Sequence, residues 1–107
     1  GAVCDLHHGL ANALMIDTVM AWNYAAVPHK FDELAHVCKV HGGGPAFVAW
    51  LRQLKVDVGI TTRLADFGVR PEHLPRLVEI ATADMCHQTN PRPCTAADFE
   101  AMFLEAM

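Results

Sequence analysis

Apolar residues recur at helical spacing along the whole chain, and nowhere do they alternate in the two-residue rhythm of a strand. That restricts the chain to helices packed on helices. Leu10 to Tyr24 is apolar on most sides, with Leu14, Met15, Ile16, Val19, Met20 and Trp22 spread around it. A helix of that kind is expected at the centre of a bundle. Pro28 interrupts. From Lys30 onward, Phe31, Leu34, Ala35 and Cys38 follow the i, i+3, i+4, i+7 spacing of an amphipathic helix, with Asp32, Glu33 and Lys39 facing out.

Gly42-Gly43-Gly44 breaks the pattern, and Pro45 suits the first turn of the next helix. There Phe47, Trp50, Leu51, Leu54 and Val58 form the expected buried stripe, closed by Gly59. A short turn over Arg63 to Asp66, capped by Thr62 and ended by Gly68, comes next. Pro71 to Met85 places Leu74, Leu77, Val78, Ala81 and Met85 on one face, with Pro75 as an alternative start. Asn90-Pro91-Arg92-Pro93 cannot be helix interior. Thr95 with Asp98 then reads as a capping box, and Phe99, Met102, Phe103 and Ala106 face the core. The predicted fold is all-α, one domain over residues 1–107, a bundle of about five main helices.

Composition removes several classes of function. Hydrophobic residues make up 52% of the 107, enough for a real core. The net charge is −4 with no clustered Lys or Arg, which argues against nucleic acid as a partner. No apolar run is long enough to span a bilayer, and the first residues lack the basic stretch of a signal peptide. Cys4, Cys38, Cys86 and Cys94 form no C-x-x-C pair, so zinc-ribbon and thioredoxin-type readings fail. Two disulfides are formally allowed, but a core this apolar needs no staples. Free thiols in a reducing cytoplasm are the simpler expectation.

The candidate chemistry is sparse. His8 precedes Gly9, which leaves room for a second ligand or a substrate, and a neutral imidazole is a good ligand for Fe(II) or Zn(II). One histidine is not a metal site, since metals want three or four protein ligands. His7 competes for the role, although adjacent side chains point in different directions. His36 and His41 miss the i, i+4 spacing of two ligands on one helix face, and they read as surface residues, as do His29 and His73. His41-Gly42-Gly43-Gly44 resembles the oxyanion loop of esterases, but the chain has no serine to act as nucleophile. No dinucleotide fingerprint or P-loop is present. Cys86-His87 could in principle activate a thiolate, yet adjacent side chains seldom reach that geometry, and a helix end entering a turn is the plainer reading. On the residues alone the description stops at a helical domain with one suggestive histidine.

Three segments taken together go further. Residues 6–23, LHHGLANALMIDTVMAWN, resemble a stretch written H-G-x-x-N-A-x-x-x-P-x-V-x-x-x-N. Residues 57–69, DVGITTRLADFGV, resemble G-I-P-x-x-L-x-x-x-G-V, and residues 84–106 resemble a closing segment with N-P-R before a last helix. In order and at matching intervals, these are similar to the iron-containing, or group III metal-dependent, alcohol dehydrogenases. Asp17 and Thr61 stand where the pattern has proline.

The resemblance implies a C-terminal, all-helical, metal-ligand-bearing domain, with an α/β domain that binds NAD or NADP and three further metal ligands expected before Gly1. It implies Fe(II) or Zn(II) as the metal, with His8 as one ligand because it is the histidine preceding glycine, and Cys86 beside the substrate pocket. The substrate is then a small alcohol or aldehyde, and homo-oligomer formation stays open. No separate catalytic or cofactor-binding residue is assigned in the chain. Alone, it is expected to be metal-free and inactive. Two other readings stay open: a stand-alone helical interaction module, and a same-architecture relative such as glycerol dehydrogenase or dehydroquinate synthase, against which the N-P-R segment argues.

Overall fold

The structure is a computed structural model that describes residues 8–107, with the side chains of all but residues 8, 85 and 86. Among the described residues there are five α-helices, three short 3₁₀ turns and no strand: α1 (His8–Tyr24), α2 (Pro28–Val37), α3 (Gly43–Asp57), α4 (Leu74–Ala83) and α5 (Ala96–Ala106). The all-α expectation holds. α2 and α3 pack as one pair, α4 and α5 as another, and α1 lies between them against α3 and α5. None of the described helices is long and apolar enough to cross a membrane.

The local signals place most of the boundaries. Pro28 stands at the first position of α2, where its missing N–H is no loss, so the helix starts there and not at Lys30. Gly59 and Gly68 both take left-handed φ, 87° in each case, and end their elements. Thr95 Oγ1 accepts from Asp98 N at 3.3 Å while Thr95 N donates to the Asp98 carboxylate at 2.9 Å, the predicted box. Two boundaries differ from expectation. The turn at 64–67 is entered from an extended Arg63, whose N–H donates to Asp66 Oδ2 at 2.7 Å, so the Asp66 carboxylate and not Thr62 serves this entry. The Pro71–Met85 helix is in fact a 3₁₀ turn over Pro71–His73, then α4; it stops at Ala83, because Asp84 is extended, and a 3₁₀ turn over Met85–Thr89 follows.

The glycine triplet has three separate reasons. Gly42 (φ 113°) and Gly43 (φ 72°) turn the chain through conformations that side chains resist. Gly44 is buried where a Cβ would lie 2.2 Å from the Tyr24 ring. Its N–H donates to Asp32 Oδ1 at 2.9 Å, so a carboxylate from α2 caps the start of α3.

Two cores result. Leu14, Leu64, Val69 and Ala106 join α1 to α5, and Phe31, Ala35, Phe47 and Val48 join α2 to α3. The molecule is a slab of 40 × 30 × 18 Å. A thickness of 18 Å leaves room for about two helix layers at ~10 Å each. That explains two corrections. The α3 stripe is only half covered: Phe47 is buried, but Trp50, Leu54 and Val58 are exposed. α1 sits in the middle, yet Ile16 on its open side is 38% exposed, and Leu14 is its one buried large apolar residue among those described.

Candidate functional site

α1 is the element on which the site readings depend. His8 is its first residue, followed by an exposed Gly9. Cys86 lies in the 3₁₀ turn after α4. The side chains of His8 and Cys86, and all of Cys4 and His7, lie outside the described residues, so the choice between His7 and His8 rests on the sequence resemblance alone. Among the described residues, no three His, Cys, Asp or Glu side chains come together as a metal cage. The described residues therefore do not fit a metal by themselves, and the chain's candidate contribution is a single donor at the mouth of α1.

Both ends of the pattern in residues 6–23 have physical reasons. Asp17, where the resemblance expects proline, faces α3: its carboxylate meets Lys55 Nζ at 2.8 Å and Arg52 Nε at 3.2 Å. Lys55 also donates to the Leu14 carbonyl at 3.1 Å. Burial pushes the Asp17 carboxyl up, but the Lys55 hydrogen bond and charge and the Arg52 bond outweigh it and hold the group below the usual carboxylate range. A proline there would forfeit this link to α3.

At the other end, Asn23 is a buried polar side chain, 6% exposed. Its Oδ1 accepts from Asn90 Nδ2 at 2.7 Å, across 67 residues, and Asn90 Nδ2 also donates to the Arg92 carbonyl at 2.7 Å. Arg92 Nη1 donates to the Trp22 carbonyl at 2.9 Å, an orphan acceptor of the last turn of α1, and its Cζ sits 3.4 Å from the Trp22 ring centroid. The N-P-R segment is thus a clamp on the end of α1. The closing asparagine of the first resemblance segment and the first residue of N-P-R are hydrogen-bonded to each other.

The remaining histidines divide by role. His29, His36 and His41 are exposed. His73 Nδ1 accepts from Arg70 N at 2.9 Å and so caps its own turn. His87 Nε2 bonds the Thr82 carbonyl at 3.0 Å, with its ring edge-on to Phe99. Cys38 and Cys94 are free thiols. A cavity of about 310 Å³ opens between α1, α4, the 85–89 turn and α5. Neither the clamp nor the cavity was found by sequence reasoning; Asn90 and Arg92 stood out as a motif, but no local signal points to Asn23 or Trp22 as their partners.

The family model described as Fe-containing alcohol dehydrogenase family, C-terminal, matches residues 1–107. The chain belongs to that family. Lactaldehyde reductase of Escherichia coli K12 is 34% identical over 110 residues, 96% of this chain and 29% of the relative. The NAD-dependent methanol dehydrogenase of Bacillus methanolicus is 30% identical over 115 residues, covering 100% of this chain and 30% of the relative. A crystal structure of 1,3-propanediol oxidoreductase superposes with a TM-score of 0.94 at 30% identity, over 100% of this chain and 30% of that one. The five helices are therefore the arrangement seen in a dehydrogenase of this family, and the chain spans less than a third of the relatives it matches.

Proposed function

We propose that the chain is the helical, C-terminal part of an NAD(P)-dependent and metal-dependent alcohol dehydrogenase or aldehyde reductase, with His8 as one ligand to an Fe(II) or Zn(II) ion and Cys86 beside the substrate pocket. The observation that carries the reading is the likeness of the whole fold, at a TM-score of 0.94, to 1,3-propanediol oxidoreductase. The names of the relatives supply the reaction class, and the Bacillus methanolicus relative supplies NAD. When bound, such a metal would act as a Lewis acid on the alcohol or carbonyl oxygen.

The chain's own contribution is positional. His8 is the first residue of α1, a helix tied to α3 through Asp17 and to the N-P-R segment through Asn23. The clamp also sets where the 85–89 turn, and so Cys86, stands relative to α1. Since one imidazole cannot retain a metal ion, the 107 residues alone are expected to be inactive.

The test is NAD(P)H-dependent reduction of a short aldehyde by a polypeptide that joins this chain to a nucleotide-binding domain of the kind its relatives' length allows. Activity should fall on chelation, return with Fe(II) or Zn(II), and be lost together with bound metal in His8→Ala. Unchanged metal content and rate in His8→Ala would remove the ligand assignment. No turnover with any short alcohol or aldehyde would remove the reaction class.

A further inference from the structure

A second cleft, also of about 310 Å³, lies where α1, α3, α5 and the stretch before the 64–67 turn meet, and its walls are polar. At its floor is Thr18, only 5% exposed. A threonine inside a helix commonly bonds back to the carbonyl four residues earlier, as Thr82 does to Val78 at 2.7 Å. The Thr18 hydroxyl makes no hydrogen bond among the described residues. Nor is it sealed away, because Trp22 Nε1 is the one side-chain N or O among them that is both closed off from solvent and unpartnered. The Thr18 hydroxyl therefore opens into the cleft with its donor unspent.

Three cations and two carboxylates line the walls. Lys55 sits on Asp17 at 2.8 Å, and Arg52 Nε takes the other Asp17 oxygen at 3.2 Å, so both oxygens of that carboxylate are already engaged. Glu105 meets only Arg52 Nη2, at 3.6 Å, and its side chain is 59% exposed. The Arg63 guanidinium donates to the Glu105 main-chain carbonyl, while Asp66 takes the Arg63 backbone N–H. No carboxylate among the described residues forms an ion pair with Arg63. Lys55 offsets Asp17 and Glu105 offsets one arginine, which leaves one positive charge over. An arginine holds five N–H donors; Arg52 has hydrogen-bonded one nitrogen and Arg63 one. The cleft thus has a buried hydroxyl, an excess cation and unspent guanidinium donors on opposite walls.

We propose that this cleft binds the phosphoryl group of a small phosphomonoester. A tetrahedral dianion offers acceptors to α1, α3 and the 62–63 stretch at once, and guanidinium groups match phosphate oxygens in pairs. Arg63 and Arg52 hold the charge, and Thr18 donates from the floor. The volume is at the lower bound of small-molecule sites, enough for the phosphate and a short organic group. The proposal does not depend on the dehydrogenase reading.

The test is titration with inorganic phosphate, glycerol 3-phosphate and glycerol at constant ionic strength, which removes general screening. The methyl resonances of Thr18 and Ala106, both buried in the lining, report on the cleft. Both phosphates should give saturable shifts at these methyls, with half-saturation below about 10 mM, and glycerol none. Thr18→Val keeps the shape and removes the hydroxyl, and should weaken glycerol 3-phosphate binding about tenfold. Arg63→Gln, at an exposed position, should weaken it at least tenfold. Absence of saturation in that range, shifts confined to other methyls, glycerol bound as tightly as its phosphate, or undiminished binding in either folded variant would each overturn the proposal. Should Thr18→Val not fold, Arg63→Gln and the methyl map decide.

Discussion

Replacing Gly44 by alanine tests how α3 is seated on the rest of the fold. The added Cβ would lie 2.2 Å from Tyr24 Cε2, 2.5 Å from Cδ2 and 3.0 Å from Phe31 Cβ. The Tyr24 ring is not free to swing aside, because it packs edge-on against Phe31, and Phe31 against Phe47, at centroid distances of 5.8 and 6.1 Å. Overpacking of this kind costs about 1–3 kcal/mol. Alanine is also a better helix former than glycine, which returns up to about 1 kcal/mol in a helix interior and less in the first turn. The expected net loss is about 1–2 kcal/mol, or roughly 5–10 °C in Tm for a domain of this size. Urea and thermal unfolding followed by circular dichroism read it directly. The cause is isolated by a double-mutant cycle with Tyr24→Val, which removes the ring. In that background Gly44→Ala should be close to neutral, a coupling of about 1 kcal/mol or more. An unchanged or raised stability for Gly44→Ala, or an equal loss in both backgrounds, would refute the steric account.

Two further outcomes follow from the polar links. Asn90→Ala leaves the buried Asn23 carbonyl oxygen without its donor and should lower stability by about 1–3 kcal/mol in urea unfolding, whereas Asn90→Ala in an Asn23→Leu background should be much milder. For Asp17, the carboxyl is held below its ordinary value in the folded state, so the unfolded chain binds the proton more readily. Its stabilising contribution is present above about pH 4 and fades as pH falls through the lower folded value. Asp17→Asn should therefore cost about 1 kcal/mol at pH 7 and markedly less at pH 3, checked by urea titrations at both. An equal cost at both would show that the charge is irrelevant.

The features legible in the sequence are those whose causes lie within a turn of chain. The Thr95–Asp98 box, the left-handed stops at Gly59 and Gly68, and the apolar face of α5 follow from residues at most four positions apart, whereas α2 starts two residues before the expected Lys30 and leaves Leu34 of its expected buried face exposed. The three segments that resemble the dehydrogenase family were legible for the same reason, since they are local strings.

Tertiary structure decided what depends on which surfaces meet. Trp50, Leu54 and Val58 have the spacing of a buried stripe, and only the absence of a third layer in the described slab leaves them exposed. Gly44 looks like one more flexible glycine until Tyr24 is brought against it. Asp17 and Asn23 sit in an apolar helix without visible purpose, and their partners, Lys55 and Asn90, are 38 and 67 residues away. Side-chain periodicity reports only that a face is apolar. Which atoms it touches depends on the relative placement of helices, and that placement is fixed by contacts no short stretch of sequence contains.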